Sequence, residues 1–262
     1  MVAVISSNEI ERILGMPSSR YAIEVSGLTK FYGKNQVLWD LNLQVEQGTI
    51  FGIVGPNGAG KTTLLKIVAG IIRPTTGKVT IMGRSLSAEP EDVKTFIGYL
   101  PEKPRAYDVL TVKEFLEFIK ELYSIPDAVF IERVEEYSKA FGLGGYDLSF
   151  MGSLSKGLLQ RALLAAIFVR EPRIYLLDEP FSGLDPSGIW QFRRTLQEKA
   201  KVGATVLMAT HILDFVEKVC DRIAIIDQGK ILIEGTSQQL REAAGVQSSL
   251  EEAYLKLLGE ES

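Results

Sequence analysis

Apolar positions recur along this chain with two different periods, and the switching between them sets out the elements. Ile23-Glu24-Val25 and Leu41-Asn42-Leu43-Gln44-Val45 alternate as half-buried strands do. Thr49-Ile50-Phe51-Gly52-Ile53-Val54 is a continuous apolar run, and Thr62 to Val68 follows it with helical spacing. Gly77 to Gly83 predicts a strand ended by glycine, and Phe96 to Leu100 a short strand closed by Pro101. From about Tyr107 to Leu154 the texture is helical, with Val112, Phe115, Leu116, Ile119 and Leu122 on one face. A helix from Leu158 to Val169 leads into an apolar strand, Ile174 to Leu177. The helix from Ser187 is expected to bury Ile189, Phe192 and Leu196, and a strand at Thr205 to Met208 follows. Ile223 to Ile226 and Ile231 to Ile233 predict a hairpin turning at Gln228-Gly229. A last helix near Ser249 to Leu258 places Leu250, Tyr254, Leu257 and Leu258 on one face, to pack on its own domain or meet a partner. Ahead of Tyr21, Ser6 and Glu9 are placed to cap a short helix through Ile10, Ile13 and Leu14, stopped by Gly15 and Pro17. No internal repeat or low-complexity tract interrupts this order.

Composition narrows the picture. The 262 residues are 46% hydrophobic, enough for one large domain or two small lobes. Net charge is -4 and no long basic run occurs, so nucleic acid is not the expected ligand. One cysteine, Cys220, excludes an intrachain disulfide and reads as a small buried hydrophobe. No apolar run approaches the length of a membrane span, and the first residues lack a charged-then-apolar secretion signal.

Three strand ends carry candidate chemistry. After Val54 comes Gly55-Pro56-Asn57-Gly58-Ala59-Gly60-Lys61-Thr62, which fits the phosphate-loop pattern G-x-x-x-x-G-K-S/T between a strand and a helix. Its glycines let backbone N–H groups turn toward phosphates, and the following helix, from Thr62-Thr63, adds its positive end. Lys61 is expected to reach the outer phosphates, and the Thr62 hydroxyl to ligate Mg²⁺. The strand Ile174 to Leu177 ends in Asp178-Glu179, at the sheet edge where open α/β sheets bind ligands. Asp178 is placed to hold Mg²⁺, directly or through water. Glu179 is placed to take a proton from the attacking water or to polarise it. His211, the sole histidine, follows the strand ending in Ala209-Thr210 and is placed to donate to a γ-phosphate.

From about Tyr21 to Gly235 these ordered motifs resemble the ATP-binding cassette (ABC) ATPases, the motor subunits of ABC transporters. Leu154-Ser155-Lys156-Gly157-Leu158-Leu159-Gln160-Arg161 stands where that family has its LSGGQ-type signature, and Ser182-Gly183-Leu184-Asp185 where it has its D-loop. His211 falls at its switch histidine, Glu102 at its Q-loop, and Tyr32 at the aromatic that stacks on adenine, the alternative for Tyr32 being plain strand packing. The resemblance implies an α/β fold: a P-loop NTPase (RecA-like) core with an antiparallel β subdomain and an inserted α-helical subdomain. Residues 1–20 would be an extension, 21–240 the ATPase domain with the insert at about 107–160, and 241–262 a helical tail.

Two motifs depart from the family pattern. Lys156 and Leu158 replace Gly and Gln of the signature, while Ser155 and Gly157, the parts that touch a γ-phosphate, remain. Glu102 replaces a Gln, so it accepts and ligates metal but cannot donate. Both forms resemble exporter-type members. The resemblance further implies ATP and Mg²⁺ as cofactors and a second ABC ATPase subunit, identical or not, whose signature completes the site. It also implies a transmembrane permease partner docking near Glu102 to Phe115, and a peripheral position on the cytoplasmic face of the cell membrane. A soluble ABC ATPase is the competing reading, without the second cassette or long coiled-coil insertion such proteins usually carry. A small-molecule kinase would not need Ser155, Gly157 or His211.

Overall fold

A computed structural model describes residues 19–103 and 107–259, so the helix expected through Ile10 lies outside the described residues. The chain opens with two long strands, β1 (Tyr21–Tyr32) and β2 (Asn35–Glu46), paired antiparallel. The continuous apolar run becomes β3 (Ile50–Val54), buried at every position, as befits a strand covered on both faces. The Gly-rich loop then delivers the chain into α1 (Lys61–Val68). Next come β4 (Thr76–Ile81), β5 (Arg84–Ser85), α2 (Pro90–Thr95) and β6 (Ile97–Leu100). β4 ends two residues earlier than its sequence suggests. Met82 and Gly83 both take positive φ, 50° and 76°, making the tight turn that joins β4 to β5.

The helical region consists of α3 (Val112–Leu122) and α4 (Asp127–Ala140), which pack on α5 (Lys156–Arg170). Thr111 and Glu114 form a reciprocal cap at the start of α3. Val112, Phe115 and Leu116 are buried as expected, but Leu122 is 57% exposed because the helix ends there, beyond the edge of the core. β7 (Ile174–Asp178), α6 (Pro186–Lys201), β8 (Thr205–Ala209) and α7 (Leu213–Val219) follow. Phe192 and Leu196 of α6 are buried, Ile189 only half so. The predicted hairpin is β9 (Arg222–Asp227) and β10 (Lys230–Gly235), with Gln228 and Gly229 at φ 44° and 76°. The chain closes with α8 (Ser237–Ala244), which straddles residue 240, and α9 (Leu250–Leu258). Leu250 and Ala253 are fully buried, and Tyr254, Leu257 and Leu258 pack with Leu240, Val54 and Ile225, so the apolar face of α9 rests on its own domain.

Two sheets result. β2-β1-β4-β5 is antiparallel; β10-β9-β3-β8-β7-β6 is parallel from β9 to β6, with β10 antiparallel at one edge. The mixed α/β architecture of a P-loop NTPase core with an antiparallel sheet and added helices therefore holds. The parallel register brings the C-terminal ends of β3, β8, β7 and β6 side by side. The Gly-rich loop, His211, the Asp178-Glu179 pair and Glu102 thus emerge at one edge, though up to about 160 positions separate them in sequence.

Cys220 packs with the cores on either side of it, and burial pushes its thiol up, out of reach of reactivity near neutral pH.

Candidate functional site

The loop after β3 is held in shape by its own backbone and by the β9–β10 turn. Ala59 N–H donates to Pro56 O at 3.2 Å, and Gly229 N–H donates to Ala59 O at 3.0 Å. Glycine is required at Gly60, whose φ of 106° makes the entry to α1 left-handed and whose Cβ would meet Leu38 at 2.7 Å. At Gly55 a Cβ would sit 2.0 Å from the carbonyl of Ile226, so any side chain would push the loop off β9. Lys61 is buried, and its Nζ donates to Gly55 O at 2.6 Å and Pro56 O at 2.9 Å. The ammonium thus lies folded over the loop it belongs to. Burial lowers its pKa, opposed by the charges of Glu179, Asp178 and Glu102, which places all three carboxylates close by.

A cleft of about 600 Å³ opens over this loop, lined by Asn57, Gly58, Gly60, Lys61, Thr62, Thr63, Glu102, Asp178, Glu179 and His211, with Asn35 and Val37 at its rim. Ten of the predicted residues therefore share one cavity, of a size that holds a nucleotide. Tyr32 pairs with Asn35 at the tip of the β1–β2 hairpin, next to the rim. Its ring is 48% exposed, with the Lys30 ammonium 5.0 Å from the centroid, so it is not packed into the strand core. Ser155, Gly157 and Asp185 do not line the cleft.

Glu179 is fixed from two sides. Thr210 Oγ1 donates to Glu179 Oε2 at 3.0 Å, and His211 Nδ1 lies 2.8 Å from Glu179 Oε1. The expected phosphate donor thus rests on the carboxylate. Glu179 also holds φ at 48°, rare for a non-glycine, while its N–H donates to Ala209 O at 2.9 Å. Thr210 was missed in the sequence. The only available signal was a hydroxyl next to His211 at a strand end.

Asp178 is 1% exposed, and neither carboxylate oxygen has a hydrogen-bond partner. Burial pushes its carboxyl up. The Thr62 hydroxyl stands close enough to favour the ionised form, though without hydrogen-bonding geometry, and Glu102 and Glu179 disfavour it. An orphaned buried carboxylate beside a hydroxyl and a second carboxylate suits a hard divalent cation. Among the described residues no three His, Cys, Asp or Glu side chains are grouped so as to hold a metal ion between them; Mg²⁺ is commonly held by one or two carboxylates together with phosphates.

This gives a sign. A folded-state pKa raised above 3.8 means that ionising Asp178 opposes folding. The penalty is absent at low pH, grows as pH rises through the raised value, and persists at neutrality. Asp178→Asn in metal-free protein is therefore expected to gain about 1 kcal/mol, or about 2–4 °C in Tm, at pH 7. The gain should shrink toward pH 4. Thermal scans across that range check it, and a variant less stable at pH 7 would contradict it.

Ser155 caps α5, accepting from Leu158 N–H at 3.3 Å, and is exposed. A Cβ on Gly157 would fall 2.5 Å from Gly183 O, so the signature turn packs against the Ser182–Asp185 segment. Asp185 caps α6, accepting from Gly188 N–H at 3.1 Å and Ser187 Oγ at 3.0 Å, and pairs with Arg161; the two hydrogen bonds, then Arg161, hold its carboxyl below the usual range. Gln160 is buried and donates to Pro180 O at 2.9 Å. The Gly157–Gly183 packing, the Arg161–Asp185 pair and the Gln160–Pro180 bond tie the signature helix to the carboxylate loop across segments apart in sequence.

A Gly-rich loop between β3 and α1, with acidic and hydroxyl groups aimed at one cleft on a parallel sheet, defines a P-loop nucleoside triphosphatase. The model of the ABC transporter family matches residues 38–182. An uncharacterised ABC transporter ATP-binding protein of Nostoc is 43% identical over 201 residues, 76% of this chain, which spans 59% of that relative's length. The ABC-type transporter ATP-binding protein EcsA of Bacillus subtilis is 34% identical over 241 residues, 92% of this chain and 98% of EcsA. A solved structure described as the ATP-binding subunit of an ABC transporter superposes with a TM-score of 0.86 at 34% identity, covering 90% of this chain and 99% of that one. The chain belongs to the ABC transporter family, as an ATP-binding, ATP-hydrolysing cassette.

Proposed function

We propose that this chain is the motor subunit of an exporter, closing on ATP as a dimer and driving a separate membrane-spanning permease. The observation that carries this is a divided site. The Gly-rich loop, Glu102, Asp178 and Glu179 line the cleft, while Ser155, Gly157 and Asp185 do not. Head-to-tail pairing of two cassettes would bring each Ser155 to the other's nucleotide, so the γ-phosphate joins the dimer and its loss releases it.

In this reading the loop N–H groups and Lys61 cradle the triphosphate. Lys61 exchanges its hold on Gly55 O and Pro56 O for phosphate oxygens. Thr62, Asp178 and Glu102 would hold Mg²⁺, which would supply positive charge to offset that of the phosphates. Glu179 accepts the proton of the attacking water, kept in place by Thr210 and His211. His211 turns to the γ-phosphate when one is present. Tyr32 stacks on the base. The exporter assignment rests on Lys156 and Glu102, the forms resembling exporter-type cassettes.

Among the described residues no helix is long and apolar enough to cross a membrane; in this reading the permease is a separate chain and the cassette sits on the cytoplasmic face of the membrane. The docking surface lies beside Glu102. Tyr107 is 54% and Val109 80% exposed, and the Tyr107 ring meets Phe118 edge-on at 5.1 Å, continuing onto exposed Leu122. Leu110, by contrast, is half-buried and anchors the insert. An apolar patch next to a metal-proximal loop suits a short helix of a permease. Val109→Asp or Tyr107→Asp is expected to leave soluble ATPase activity within about twofold and to remove co-purification with the permease. Crosslinks that place the permease only on α9, with Tyr107 free, would overturn this docking.

A further inference from the structure

Among the described residues, the buried side-chain oxygens without a hydrogen-bond partner are Asp178 Oδ1 and Oδ2 and the hydroxyls of Tyr99 and Tyr175. Three of these four belong together. Tyr99 stands on β6 opposite Leu176 of β7, and the two-residue period of a strand puts Asp178 on the same sheet face as Leu176. The Tyr99 ring packs into the core that includes Leu176, Leu64 and Leu65, under α1 and away from the insert. Burial, then the charges of Asp178 and Glu102, push its phenol well up, which keeps it a donor at any working pH and sets it close to both carboxylates.

A buried O–H without a partner is costly, and the cost has a reason when the group serves a ligand or an ordered water. Here a donor on Tyr99 and two acceptors on Asp178, all buried and without a partner, lie on the same sheet face of neighbouring strands, and a buried water takes two to four such polar partners.

We propose that Tyr99 is a positioning residue for the metal carboxylate: its hydroxyl donates through one water to Asp178 and fixes the carboxylate for the cation. The idea rests on Asp178 being the metal ligand. Tyr99 touches neither nucleotide nor reacting atoms; it acts through Asp178. Glu102 accepts but cannot donate, so it cannot satisfy the Asp178 oxygens itself.

The test uses the full chain and Mn²⁺ as the probe. Mn²⁺ affinity is read by electron paramagnetic resonance with a non-hydrolysable ATP analogue, for wild type, Tyr99→Phe and Asp178→Asn. The affinity of the analogue without metal and the thermal unfolding of each variant are measured alongside. Tyr99→Phe keeps the ring, so folding is expected to be unimpaired, with Tm unchanged or higher without metal. The expected result is a threefold to tenfold loss of Mn²⁺ affinity, on the order of one hydrogen bond, with metal-free analogue binding unchanged and an altered Mn²⁺ spectrum. Asp178→Asn should lose more. An unchanged Mn²⁺ affinity in Tyr99→Phe, with Asp178→Asn impaired, overturns the role of Tyr99 alone. An unchanged affinity in both overturns the metal assignment of Asp178 and the proposal with it. Equal losses of Mn²⁺ and metal-free analogue binding would make Tyr99 a packing residue and also overturn the proposal.

Discussion

Glu179→Gln is expected to bind ATP as well as the parent chain and to hydrolyse it at least about 10²-fold more slowly. The amide keeps the volume and one acceptor of the carboxylate but cannot take a proton from water. Geometry makes the effect large. Glu179 is fixed by Thr210 at 3.0 Å and His211 at 2.8 Å, on a backbone at φ 48° that no free loop would choose. Such placement supplies orientation before the water arrives. Single-turnover phosphate release, set against equilibrium ATP binding, separates the two effects. Turnover within a few fold of the parent would remove Glu179 from proton transfer. It would leave Asp178 and the phosphate loop as the whole of the chemistry.

Local pattern made the chemistry of single strand ends legible. The run Ile50 to Val54 is covered on both faces, and so its continuous apolarity read correctly as a buried strand. The same held for Ile174 to Leu177 and for the turn at Gln228-Gly229, because a two-residue loop with positive φ leaves a chemical mark. Elements whose ends depend on distant partners read less well. β4 stops at Ile81 because Met82 and Gly83 turn toward β5, a two-residue strand too short to leave a period. Leu122 fits the helical face of α3 but has no core beneath it. Within the site, Thr210, Gln160, Asn35 and Tyr99 were invisible for one reason. Thr210 and Gln160 bond to Glu179 and Pro180 from other segments, Asn35 reaches the cleft only through the fold of the β1–β2 hairpin, and Tyr99 shares a sheet face with Asp178 of the neighbouring strand; spacing along the chain carries no trace of that. The motifs named the groups that would meet phosphate; the fold supplied those that hold them still.

In the presence of ATP, the Glu179→Gln chain is expected to run at twice its monomer mass in size exclusion with light scattering, and at monomer mass with ADP. Adding Ser155→Arg should abolish the ATP-dependent species. Within one chain Ser155 has only a capping task, accepting from Leu158 N–H at 3.3 Å at the exposed start of α5. Its loss as a cap costs about 1 kcal/mol, too little to unfold a cassette of this size but enough to confuse the result. Ser155→Asp removes that ambiguity. Asp caps a helix as well as Ser does, so α5 is preserved, while its carboxylate would face the partner's γ-phosphate and repel it. Both variants should therefore stay folded and monomeric with ATP, the arginine by bulk and the aspartate by charge. Neither change touches the cleft formed by the chain's own Lys61, Asp178 and Glu179, so ATP binding to the monomer should persist within a few fold. A dimer that forms equally with ADP, or that survives both substitutions, would mean that Ser155 does not meet nucleotide across an interface, and the divided site would need another explanation.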